Sequence, residues 1–166
     1  MRRHLTTTAV AAALIGLPAV VHAQDPAPRP AAGAETMKVT SAAELQWSPI
    51  QPEGFAAGME IAVIHGDPAA ADQPYTIRLR FKDGYRFPAH YHPNAENLTV
   101  LRGTFLLRMG DTSSEDLEAY GPGDFLHLPA EQPHFGGARG ETEVQLHGIG
   151  PFEIMLARPV PSSPRN

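Results

Sequence analysis

The stretch GYRFPAHYHPNAENLTVLRG, residues 84–103, decides how this chain is read. His90 and His92 stand two positions apart, so on extended chain both side chains point to the same face. Pro93 and Asn94 then bend the backbone. Glu96 follows that bend, where its carboxylate can return to the same spot. Two imidazoles and one carboxylate converging from a rigid β scaffold suit Fe(II), Mn(II), Ni(II), Cu(II) or Zn(II). A fourth ligand has to come from a distant strand. His134 is the best candidate, because Pro133 precedes it and the Gly123-Asp124 turn lies one strand upstream. Singly, these residues have plainer readings: a His-x-His pair on a sheet, a solvated loop carboxylate, a capping histidine. Their combination with Gly84 and Gly103 at fixed spacings is what points to a metal.

Working outward, short strands bounded by turn residues are predicted on both sides. Met59–Ile64 is apolar and β-branched and stops at His65-Gly66-Asp67-Pro68. Tyr75–Phe81 alternates, with Tyr75, Ile77, Leu79 and Phe81 on one face and Thr76, Arg78 and Arg80 on the other. Leu98–Leu101 and Thr104–Met109 read as two strands joined by a hairpin at Arg102-Gly103. Leu117–Tyr120, Phe125–Leu128, Glu143–Ile149 and Phe152–Ala157 complete the series. Phe81, Phe105, Leu107 and Met109 read as core, and Arg78 and Arg80 as a solvated face. Ser41–Trp47 is the one helix candidate, with Ser41 as N-cap. Many short strands with Gly/Pro turns predict an all-β sandwich or barrel, and closure would remove exposed sheet edges.

The ends of the chain have a different character. Residues 1–23 read as a secretory signal peptide: Arg2 and Arg3, an alanine-rich apolar run from Leu5 to Val21, then small residues at Val21 and Ala23 before Gln24. The run is short and threonine-diluted for a membrane span of ~20 residues. Cleavage before Gln24 predicts a periplasmic or secreted protein with no stable membrane insertion. Loss of Arg2 and Arg3 takes the formal charge from −5 to −7. The arginine pair also leaves twin-arginine export open. Residues 24–36 form a Pro/Ala-rich flexible linker, 37–158 the folded domain, and 159–166 a proline-rich disordered tail.

Composition excludes several classes. The 166 residues suit one domain, and a net charge of −5 without a basic run argues against a nucleic-acid partner. There is no cysteine, which rules out disulfides, thiolate ligands and cysteine nucleophiles. A metal site must therefore draw on the eight histidines and the carboxylates.

These residues resemble the cupin family. Its first motif, G-x5-H-x-H-x3-E-x6-G, is met at Gly84, His90, His92, Glu96 and Gly103. Its second, G-x5-P-x-G-x2-H-x3-N, is met at Gly123, Pro129 and His134, with Glu131 standing for glycine and Ala138 for asparagine. The resemblance covers roughly residues 59–157. It implies a small antiparallel β-barrel (a double-stranded β-helix, or jelly roll) with one divalent transition metal near its wide mouth. It also implies a possible homodimer formed through the outer sheets.

Function is read from the site and not from the fold, because the fold hosts many chemistries. Three His and one Glu leave one or two coordination positions open. That suits an enzyme acting on a small molecule, either of dioxygenase type or with the metal as Lewis acid for a lyase or isomerase. A non-catalytic periplasmic metal- or ligand-binding module is the alternative. Outside the ligands, His147 is the candidate general base if it and Gln145 face inward. If Val144 and Leu146 face inward, His147 is a surface residue. His127 reads as a sheet-face histidine, and Tyr91, between two inward histidines, should point outward.

Overall fold

The computed structural model describes residues 36–111 and 116–157; the expected signal segment, nearly all of the linker and the tail lie outside them. No helix among the described residues is long and apolar enough to cross a membrane. The predicted helix is a single 3-10 turn, Ala42–Glu44, capped where expected, with Ser41 Oγ accepting from the Ala43 N–H at 3.3 Å. The other regular structure among the described residues is antiparallel sheet in nine strands: β1 Ser48–Ile50, β2 Met59–His65, β3 Pro74–Phe81, β4 Arg86–Tyr91, β5 Glu96–Met109, β6 Glu118–Tyr120, β7 Phe125–Leu128, β8 His134–Ile149 and β9 Met155–Leu156.

Two long strands organise the sheet. The second half of β8 lies between β3 and the first half of β5, which also pairs with β7. The first half of β8 lies between β4 and the second half of β5, which also pairs with β6. The same two strands thus run through both faces of the curled sheet and turn its corner together, and strands change sheets at such corners through bends and bulges. The predicted hairpin at Arg102-Gly103 is this corner. The chain does not reverse there, because β5 continues through it with register shifts against β8 on either side of Arg102. Gly103 has φ 75° and Gly140 has φ 72°, which only glycine adopts freely. A Cβ on Gly103 would strike Thr142 Oγ1 and Glu141 O. Thr142 is fully buried at the same corner, where its hydroxyl accepts from the Thr104 N–H at 3.2 Å and reaches the carbonyls of Thr104 and Gly140.

The alternation read in β3 holds: Tyr75, Ile77, Leu79 and Phe81 are buried inside the barrel. They pack with Val100, Phe105, Leu107, Leu126, Leu128, Val144 and Leu146 into one apolar core. Two expectations fail. Met109 is 45% exposed, not core, because it ends β5 opposite His134 at the rim. Arg78 and Arg80 are only half solvated, since Arg78 pairs with Glu143 (3.0 Å), Arg80 pairs with Glu60 (2.7 Å), and Trp47 lies 4.4 Å from the Arg80 guanidinium.

Candidate metal centre

The cross-strand register brings the histidines together. His90 on β4 sits directly opposite His134 on β8, and their ring centroids are 4.3 Å apart. His92 follows one residue past the end of β4, on the same face as His90. The offered nitrogen atoms of His90, His92 and His134 all lie within 4.8 Å of one another, and all three residues are buried.

The backbone fixes which nitrogen each ring offers. Nδ1 of His90 lies 2.9 Å from Pro88 O, Nδ1 of His134 lies 3.1 Å from Gln132 O, and Nδ1 of His92 lies 2.6 Å from Glu153 O. A carbonyl oxygen has no proton to give, so each Nδ1 carries the hydrogen and each Nε2 keeps its lone pair. Three Nε2 lone pairs facing one point have no mutual attraction, and a cation is what satisfies them. Carbonyl partners of this kind commonly orient metal-bound imidazoles.

Burial keeps the rings neutral. Desolvation lowers His90 to about 3, with the neighbouring His134 adding to it, and lowers His134 to about 4; burial also lowers His92. Glu96 stands at the start of β5, buried, with Oε2 3.7 Å from Nε2 of His92. Burial raises its carboxyl to about 8. Glu96 is therefore beside the cluster, next to one histidine, and is not itself one of the three converging groups. Three neutral imidazoles with an adjacent carboxyl fit Fe, Mn, Ni, Cu or Zn, and do not fit a hard cation that takes only oxygen.

The centre faces a small cavity of about 30 Å³, walled by Phe87, Leu98, Phe105, Leu128, Phe152 and Ile154 among other apolar side chains. Among the described residues, its lining includes no titratable group beyond the three histidines and Glu96. His147 is not part of it. Val144 and Leu146 face inward and His147 is exposed on the outer surface, 6.4 Å from the Phe125 ring, so it does not reach the histidines as a general base. The need for an apolar interior decided that face. His127 is likewise exposed, bonded to Asn97 at 2.9 Å. Tyr91 is half-buried beside the two inward histidines.

Three contributors escaped the sequence reading. Phe152 stacks on His92 with ring centroids 5.0 Å apart and planes at 20°. Phe55 meets His90 edge-on at 5.1 Å. The Glu153 carbonyl, a backbone group, leaves no trace in residue identity.

A cupin-domain family profile matches residues 77–150. The barrel is a cupin domain. Solved structures share its fold at low identity. The polyketide cyclase RemF from Streptomyces resistomycificus is 19% identical, covering 76% of this chain and 89% of its own, with a TM-score of 0.61. A candidate acetylacetone dioxygenase from Methylibium petroleiphilum is 15% identical over 77% and 85%, at 0.58. A cupin 2 conserved barrel protein from Rhodopseudomonas palustris is 14% identical over 73% and 86%, at 0.56. No curated protein matches the chain. At Glu131, where the second cupin motif has glycine, φ is 60°, so this cupin places a glutamate in a left-handed position.

Proposed function

We propose that this cupin is an exported metalloenzyme. His90, His92 and His134 hold one divalent transition metal, Glu96 beside them completes the set once it has lost its proton, and a small organic molecule reacts beside the metal. Dioxygenase-type oxidation is favoured over a lyase or isomerase step. The observation that carries the reading is the set of three Nδ1–H groups tied to backbone carbonyls, which turns three Nε2 lone pairs toward one apolar cavity.

When bound, such a metal supplies Lewis acidity and, for Fe, Mn, Ni or Cu, access to oxygen chemistry. The residues supply the rest. The imidazoles hold the ion without adding charge, and ionised Glu96 offsets one of its two charges. The net +1 left over favours a monoanionic oxygen donor such as a carboxylate or enolate. Among the described residues no Lys or Arg lines the cavity, so phosphate-bearing substrates find no counter-charge in that lining. The apolar walls exclude water and hold an apolar body. Because the described lining holds no acid or base besides the ligands, proton-demanding steps are poorly served, which favours oxygenation over isomerisation. Similar structures named as a cyclase and a candidate dioxygenase support an enzyme on this scaffold.

The second reading is a non-catalytic periplasmic metal- or ligand-binding module. The absence of a separate acid or base among the lining residues favours it. Metal analysis of protein recovered from the periplasm, followed by oxygen uptake with short-chain keto-acid and diketone compounds, tests both. Iron with oxygen consumption supports the enzyme; zinc without turnover supports the module. His92→Ala should lose most of the metal and keep the barrel. Full metal content in that variant would overturn the ligand set.

A further inference from the structure

The wall of the cavity is not uniform. Its other apolar lining residues sit on strands and are buried, whereas Phe152 and Ile154 lie between β8 and β9 and are half-buried. Of the cavity's apolar lining, these two side chains are therefore the ones that also reach solvent. This segment also falls beyond the cupin match, which ends at residue 150.

The backbone at Phe152 is anchored, and its ring has two aromatic neighbours. Its ring stacks on His92 at 5.0 Å and leans on Tyr75 at 5.8 Å. Its N–H donates to Pro68 O at 2.7 Å. On one side the Pro151 carbonyl accepts from Asn94 Nδ2 at 3.3 Å, and on the other the Glu153 carbonyl accepts from His92 Nδ1 at 2.6 Å. Swinging the ring aside would give up its stack on His92. Behind it lies about 30 Å³, room for two or three waters at the ~10–15 Å³ each requires.

We propose that Phe152 is the specificity-determining residue of this centre. It caps the entrance so that only a compact monoanion, a small carboxylate or enolate with a short apolar body, reaches the Nε2 atoms. The proposal rests on the metal reading above, and its test separates the two.

Full-length protein would be loaded with Co(II), and its visible ligand-field bands followed during titration with acetate and with benzoate. Wild type should respond to acetate and not to benzoate at equal concentration. Phe152→Ala should bind benzoate at least about tenfold better relative to acetate, the scale on which an apolar pocket discriminates by size. Phe152→Leu should fall between, and it carries the test if the alanine variant does not fold by circular dichroism. Equal responses to the two anions in wild type would overturn the proposal. So would a benzoate-to-acetate ratio unchanged within about twofold in the variants. Absence of cobalt bands in wild type would overturn the metal reading itself, and this proposal with it.

Discussion

His92 donates its Nδ1–H to the carbonyl oxygen of Glu153, 61 residues further along the chain, at 2.6 Å. His90 and His134 make the equivalent bond to carbonyls two residues back, Pro88 and Gln132. Two rings are thus set by local strand geometry, and the third is set by the chain closing over it. All three are neutral, with Nε2 directed at one point.

That neutrality predicts the proton count of metal binding. At pH 7 the histidines, lowered by burial, have no proton to release. Glu96, raised to about 8 by burial, still holds one. Zn(II) binding at pH 7 should release close to one proton, and affinity should rise as pH approaches 8. Calorimetry in buffers of different ionisation enthalpy measures this, and Glu96→Gln should abolish the release. Release that is the same in Glu96→Gln as in wild type would mean that Glu96 is already ionised in the free protein.

The same shifts govern the stability of the metal-free fold, with opposite signs. Histidines of the unfolded chain protonate near 6.5 and those of the fold only near 3 to 4, so stability falls as pH drops below 6.5. Glu96 in the fold keeps a proton that the unfolded chain gives up above its ordinary 4.5. The stability it contributes is complete below 4.5 and is lost as pH rises through 8. Between 4.5 and 6.5 the histidines outnumber Glu96. Metal-free protein should therefore melt highest near pH 6.5, lower at pH 5 and lower at pH 8. A melting temperature that climbs steadily from 6.5 to 8 would contradict the assignment of Glu96.

The left-handed glutamate gives a stabilising substitution. A non-glycine residue at φ 60° costs about 1–2 kcal/mol, against about 0.5–1 kcal/mol for the extra freedom of glycine in the unfolded chain. Glu131→Gly should gain up to ~1 kcal/mol, raising the melting temperature by about 2–4 °C. Its N–H bond to the His92 carbonyl at 2.8 Å should persist. A lower melting temperature would mean that the Glu131 side chain contributes more than the strain costs.

The two glycines that bound the first motif should differ. Gly84 and Gly103 both have positive φ, 73° and 75°. Nothing lies within 4 Å of a Cβ at 84, whereas one at 103 strikes Glu141 and Thr142. Gly84→Ala should cost only the backbone term, about 1–2 kcal/mol. Gly103→Ala should add overpacking of ~1–3 kcal/mol at the corner. Urea denaturation of the two variants measures the gap, and equal losses would refute the corner as the cause.

The sequence alone determined the barrel, the strands whose faces differ in polarity, and the three histidines, because inward-facing residues alternate on a strand and a ligand pair must share that period. β3 was legible from its alternation, and His90 and His92 from their spacing. Tertiary structure decided what depends on neighbours. Arg102-Gly103 could turn or bend, and only pairing with β8 made it a bend. His147 could face either way until the core claimed Val144 and Leu146. Phe152 and the Glu153 carbonyl reach the centre through chain closure, which no local pattern of side chains encodes.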